Sequence, residues 1–171
     1  MIFDLTKLQN TRASLDLSFE PGEIDLELPE VKLSKEVGAA IEIVKGIAQT
    51  EVHGKISTVA EIDCSRCLNG IETVLEIPFR AAFVSPEYYS EQAEKELDSD
   101  ELDVSISEND EIDLKELVRE QILLALPAQF LCSEDCKGLC PVCGANKNLI
   151  DCNCRENETD PRWAGLKNLI T

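Results

Sequence analysis

The sequence predicts an α+β protein, a mainly antiparallel β-sheet or partly open barrel covered by one helix, with a C-terminal cysteine-rich tail and a short terminal helix. Three observations predict it. Apolar and polar residues alternate with period two in several runs between Ala13 and Val84, the pattern of half-buried strands. One stretch, "DLKELVREQILLALP", has helical periodicity instead. Six of the eight cysteines fall in "LCSEDCKGLCPVCGANKNLIDCNC", residues 131–154. At 171 residues the chain fits one domain with a small appendage. We place a β-rich domain at 1–128, with an acidic loop at 87–111 and a covering helix at 113–126, and a metal-binding tail at 129–171.

"ASLDLSFE" alternates Leu15, Leu17 and Phe19 with polar residues, and "EIDLELPE" does the same with Ile24, Leu26 and Leu28. With "EPGE" as a turn between them, they read as a hairpin. "AAIEIVKGIAQTEV", "HGKISTVAEID" and "GIETVLEIPFRAAFV" are rich in Ile, Val and Thr and continue the β signal as a meander. "CSRCLNG" separates the last two, so Cys64 and Cys67 belong at a hairpin tip. Val74, Ile77 and Phe79 read as core.

Residues 87–111, "EYYSEQAEKELDSDELDVSISENDE", are acidic and poor in large aliphatics outside "LDVSI", the composition of a solvated loop. Tyr88 and Tyr89 could anchor it. In the helix, Leu114, Leu117, Val118, Ile122, Ala125 and Leu126 share a face. Asp113 is its N-cap, Glu116 stands three residues later, and Pro127 stops it. "DPRWAGLKNLI" reads as the terminal helix, capped by Asp160, with Trp163, Leu166, Leu169 and Ile170 as its stripe.

The eight cysteines carry the chemistry. Structural zinc takes four tetrahedral ligands, commonly thiolates, and a C-x-x-C turn aims two sulfurs at one point. "CPVCG" is such a turn. With "CNC" eight residues later, it makes one site of Cys140, Cys143, Cys152 and Cys154. Cys64 and Cys67 with Cys132 and Cys136 then make a second, and the cofactor is zinc, two ions per chain. Another partition gathers the tail cysteines around a single metal and leaves "CSRC" free. A redox role for "CSRC" would want a helix N-terminus to lower the thiol pKa, whereas its flanks read as strands.

Catalytic zinc keeps an open position and usually a His or carboxylate ligand. Here the thiols fill both sites, and the one histidine, His53, lies in a strand pattern. No G-x-S-x-G, P-loop or G-x-G-x-x-G pattern occurs, so the sequence predicts no enzyme. The formal charge is −18, which opposes nonspecific coating of nucleic acid, since that binding rests on cations displacing counterions. Residues 1–128 hold 11 basic and 28 acidic residues, and residues 129–171 hold 5 and 6, so the excess sits in the β domain. No run approaches the ~18 apolar residues of a membrane span, and "MIFDLTKLQNTR" lacks the pattern of a secretory signal; the expected location is cytoplasmic.

"CSRCL" after a β segment, then "EIDLKELVREQILLALP", "LCSEDCKGLCPVCGANKN", "CNC" and "DPRWAGLKNL", resemble the YceD family, also called DUF177, from about residue 60 onward. Where that family commonly has "GANLN", this chain has Lys147, which removes a small apolar contact. The resemblance implies a bacterial protein needed for accumulation of 23S ribosomal RNA and hence the large subunit. Genes of this family often neighbour that of a zinc-ribbon large-subunit ribosomal protein. The implied partners are a large-subunit precursor, a ribosomal protein, or 23S ribosomal RNA within a particle; the acidic charge predicts weak binding to naked RNA. The alternative is zinc storage or transfer to a zinc-ribbon ribosomal protein.

Overall fold

The computed structural model describes residues 1–8, 11–86 and 104–154, the Glu108 side chain aside. Tyr88, Tyr89, most of the acidic stretch and the terminal helix expected around Trp163 lie outside the described residues. The chain divides into two compact units, Met1–Ile62 with Ile71–Ala128, and Asp63–Gly70 with Gln129–Thr171.

The first unit contains β1 (Ile2–Asp4), β2 (Arg12–Phe19), β3 (Val31–Leu33), β4 (Val37–Lys45), β5 (Thr50–Asp63), β6 (Gly70–Val84), β7 (Val104–Ile106), β8 (Glu111–Asp113) and α1 (Leu114–Ala125), with the ends of β5 and β6 reaching into the second unit. The main sheet runs β2-β4-β5-β6-β7, and β3 also pairs with β5. β4 lies antiparallel to β5 over Thr50–Ser57, and β3 takes the same strand at Ala60–Ile62. Residues 64–69 join β5 to β6, too few for the dozen or so of a parallel crossover. Strands β2 and β7 end the order and are not joined among the described residues, so the sheet does not close into a barrel.

Period-two patterning places Val37, Ala39, Ile41 and Ile43 of β4 on one face with Val52, Ile56, Ala60 and Ile62 of β5, all buried. Leu75, Ile77 and Phe79 of β6 are buried with the same spacing. Val74 has the opposite parity and is 71% exposed, so its assignment to the core is corrected: in a strand, neighbours point to opposite faces.

The expected hairpin of Leu15 and Leu17 with Ile24 and Leu26 does not form. Strand β2 pairs instead with β4, Leu15 opposite Ile41 and Leu17 opposite Ala39. Ile24 and Leu26 are still buried, but the Glu27 amide donates to Asp25 Oδ1 (2.8 Å) rather than to a ladder. Glu27 also has φ 56°, outside the extended region a strand needs. Burial alternates here without a strand.

Of the expected loop at 87–111, only the part from Val104 onward lies within the described residues, and that part is not plain loop. Val104–Ile106 form β7, parallel to Ala82–Val84 of β6, so the sheet is mixed rather than wholly antiparallel. Ser107 closes the pairing, its N–H donating to the Val84 carbonyl at 2.8 Å. Further on, β8 pairs antiparallel with β1 in a second, two-stranded sheet. That sheet contacts α1, whose first turn Asp113 caps by accepting from the Lys115 and Glu116 amides. Leu114, Val118 and Ile122 are fully buried, each worth roughly 1.5–3 kcal/mol. Ala125 is exposed, so the buried stripe is shorter than expected; Leu126 is already extended, the conformation favoured before a proline. Among the described residues no helix is long and apolar enough to cross a membrane.

Candidate metal centres

The second unit is built on two turns of the same design. Cys64 N–H donates to the Asn69 carbonyl (2.9 Å), and Leu68 N–H returns to the Cys64 carbonyl (2.9 Å). Cys140 N–H donates to Ala145 (2.8 Å), and Gly144 N–H returns to Cys140 (2.9 Å). In each turn the residue after the second cysteine is left-handed, Leu68 at φ 57° and Gly144 at φ 73°. That reversal turns both sulfurs of the C-x-x-C toward one point. Glycine enters the left-handed region without strain, whereas leucine does so against its Cβ.

Cys132 and Cys136 come from the bend after Phe130, where Cys136 N–H donates to the Ser133 carbonyl (3.1 Å). The bend is fastened to the first turn. Ser65 N–H donates to the Phe130 carbonyl (2.8 Å), and Arg66 Nη1 donates to the carbonyls of Cys136 (3.0 Å) and Glu134 (3.3 Å). Leu139 N–H donates to the Arg66 carbonyl (3.0 Å). A Cβ on the neighbouring Gly138 would lie 3.0 Å from that carbonyl oxygen, and its φ is +71°.

The structure thus gathers the cysteines as Cys64, Cys67, Cys132 and Cys136, and as Cys140, Cys143, Cys152 and Cys154, with the sulfurs of each group within 4.8 Å of one another. These are the two groups expected from spacing. In the first, Cys64 Sγ is 3.8 Å from Cys136 Sγ and Cys67 Sγ is 3.6 Å from Cys132 Sγ. Zn–S bonds of about 2.3 Å in a tetrahedron separate the sulfurs by about 3.8 Å, so the donor set fits zinc. Neither group includes a nitrogen or carboxylate among the described residues. His53 is elsewhere, its Nε2 2.9 Å from Glu42 Oε2 between β5 and β4.

Four sulfurs held this close compete for protons. Burial pushes the Cys64 thiol up, but the amides of Arg66, Cys132 and Cys67 outweigh it and bring the thiol to about 6. Cys132, beside the sulfurs of Cys136 and Cys67, is pushed up to about 12. The second group repeats the division. The Cys143 and Val142 amides lower Cys140 to about 6, and the Cys143 sulfur raises Cys154 to about 12. A divalent cation would have to displace the protons that the raised thiols Cys132 and Cys154 hold tightly, while Cys64 and Cys140 give theirs up readily.

The sequence reading missed the residues that support the sulfurs. Asn148 Nδ2 donates to Cys136 Sγ (3.3 Å) and lowers that thiol, while its Oδ1 accepts from Lys137 N–H (2.8 Å). Asn146 Oδ1 accepts from Asn148 N–H (2.9 Å), and its Nδ2 reaches Asn69 Oδ1 (3.4 Å). The signal was present in "GANKN", since asparagines two apart make side-chain-to-backbone turns.

Residues 52–170 match the family model described as large ribosomal RNA subunit accumulation protein YceD. The chain is 32% identical over 161 residues to YlbN of Bacillus subtilis, covering 90% of this chain and 88% of that protein. It is 27% identical over 159 residues to a Mycobacterium tuberculosis protein, covering 91% and 72%. A 59-residue stretch is 37% identical to the chloroplastic YCED homolog 1 of Arabidopsis thaliana, covering 34% of this chain and 18% of that one. No solved structure matches.

Proposed function

The chain belongs to the family of the large ribosomal RNA subunit accumulation protein YceD, and from that membership and its two cysteine clusters we propose that it is a zinc-stabilised, non-enzymatic factor supporting accumulation of 23S ribosomal RNA in the large subunit. The observation that carries the zinc reading is the pair of four-sulfur groups, each with its sulfurs within 4.8 Å of one another. Each would be filled by its own thiolates, leaving no open position for a reacting water.

Charge directs the choice of partner. Four thiolates around a divalent cation leave about −2 per centre, so two loaded centres add to the formal −18 rather than relieve it. A basic ribosomal protein, or a precursor particle bearing one, suits this surface better than naked RNA. The test, in the cytoplasm-like condition of reduced thiols, is sedimentation with precursor large subunits alongside titration with deproteinised 23S RNA. The expected result is salt-sensitive association with particle or basic ribosomal protein and weak binding to bare RNA. Tight binding to bare RNA, abolished by Lys137→Glu with Lys147→Glu, would move the partner to RNA. Failure to associate with either would remove the assembly role.

A second reading, zinc storage or transfer to a zinc-ribbon ribosomal protein, is favoured by the exposure of Cys143 and Cys154. It predicts that a chelator strips that centre without unfolding and that the ion passes to an apo ribosomal protein.

A further inference from the structure

The chain segment joining the two ligand pairs of the second centre is the segment that supports the first. Asn146 and Asn148 lie between Cys143 and Cys152. Asn148 Nδ2 donates to Cys136 Sγ at 3.3 Å, and its Oδ1 holds the Lys137 amide beside that ligand at 2.8 Å. The segment starts from the second centre's own turn, where Cys140 N–H donates to the Ala145 carbonyl (2.8 Å) and Gly144 N–H to that of Cys140 (2.9 Å). Lys147 N–H donates to the Gly138 carbonyl (2.9 Å), and Leu149 and Ile150 N–H both donate to the Asn146 carbonyl (3.0 Å each). Leu139, paired with Asn146, in turn donates to the Arg66 carbonyl within the first centre's C-x-x-C turn.

Resting on the zinc reading above, we infer that the two centres fill cooperatively, and that Asn148 is the positioning residue that couples them. A metal at Cys140, Cys143, Cys152 and Cys154 closes residues 144–151 into the conformation that aims the Asn148 amide at Cys136. With that centre open, the Cys136 sulfur loses its side-chain donor and the Lys137 amide its acceptor. Coupling is reciprocal, so a metal in the first centre must tighten the second by the same factor. Hydrogen bonds to metal ligands matter at this scale: losing such a partner typically costs 10- to 100-fold in affinity.

The test is cobalt(II) titration of the full-length, reduced chain, followed by thiolate-to-cobalt absorption. The affinity of the first centre is measured with the second intact and with it disabled by Cys143→Ser and Cys154→Ser. The same comparison is made in Asn148→Ala, and in Asn148→Asp, which keeps an acceptor for Lys137 but removes the donor to sulfur. The expected result is at least about a fivefold loss when the second centre is disabled, absent in both Asn148 variants. A structural role alone would weaken binding without abolishing the dependence of one centre on the other. Independent centres in the unsubstituted chain would overturn the coupling, and coupling unchanged in both variants would overturn the role of Asn148. No thiolate–cobalt absorption at all would bring down the metal reading and this inference with it, an outcome distinct from two independently filled centres.

Discussion

The two cysteine groups use the same turn, yet they differ in what else they close. Cys140, Cys143, Cys152 and Cys154 lie within fifteen consecutive residues, and Cys143 and Cys154 are exposed. Cys64 and Cys67 meet Cys132 and Cys136 across 65 residues of chain, as counted from Cys67 to Cys132, and three of the four are buried. By the chain-entropy estimate for cross-links, closing a 65-residue loop restricts the unfolded chain by about 4 kcal/mol, against about 2.6 kcal/mol for the loop from Cys143 to Cys152. The same ligands should therefore yield a fold-closing centre in one place and a local brace in the other.

The largest effect expected from this contrast is in paired cysteine variants. Cys64→Ser with Cys67→Ser should lose one zinc and unfold the second unit at much lower temperature, because a structural zinc site holds on the order of 10 kcal/mol of binding free energy. Cys143→Ser with Cys154→Ser should also lose one zinc but cost roughly 1–2 kcal/mol less. Metal content and thermal unfolding of both variants check this; equal losses would break the comparison.

Acidity should treat the two centres nearly alike, apart from Cys136, which Asn148 lowers in the first centre. Each has one thiol lowered to about 6, Cys64 or Cys140, and one raised to about 12, Cys132 or Cys154. The lowered thiols are already ionised above about pH 6, whereas the raised ones must lose their protons to bind. Affinity should therefore rise with pH at both centres, with fewer than four protons released per ion between about pH 6 and 9 and a steeper dependence below 6. Cobalt titrations of the two paired variants over that range would show a difference in slope if the centres were electrostatically unlike.

A smaller effect separates the turns themselves. A Cβ on Gly144 would meet nothing within 4 Å, so Gly144→Ala costs only the left-handed backbone, about 1–2 kcal/mol. Leu68 already bears that strain and is 63% exposed. Leu68→Gly should be neutral to stabilising, by less than about 1 kcal/mol, because relief of strain is offset by a freer unfolded chain. Chemical denaturation of the two variants measures both.

The grouping of cysteines was legible because a structural zinc site takes four ligands and tight turns supply thiols in pairs. The Asp113 cap was legible for a similar reason, a local hydrogen bond announced by residue type. What escaped depended on partners distant in sequence. Ile24 and Leu26 alternate as a strand does, but whether a ladder forms was decided by β4 taking β2 and by Glu27 turning left-handed. Val104–Ile106 are too short to announce a strand, and their pairing with β6 is parallel. The local turn of Asn148 was announced by "GANKN", but its contact with a sulfur twelve residues away was not.

The claim that both groups are all-thiolate zinc centres is tested most directly by zinc content and X-ray absorption on the purified, reduced, full-length chain. Two zinc ions per chain are expected, each with only sulfur neighbours at about 2.3 Å. A chain without zinc, or a shell containing nitrogen or oxygen at either centre, would contradict it.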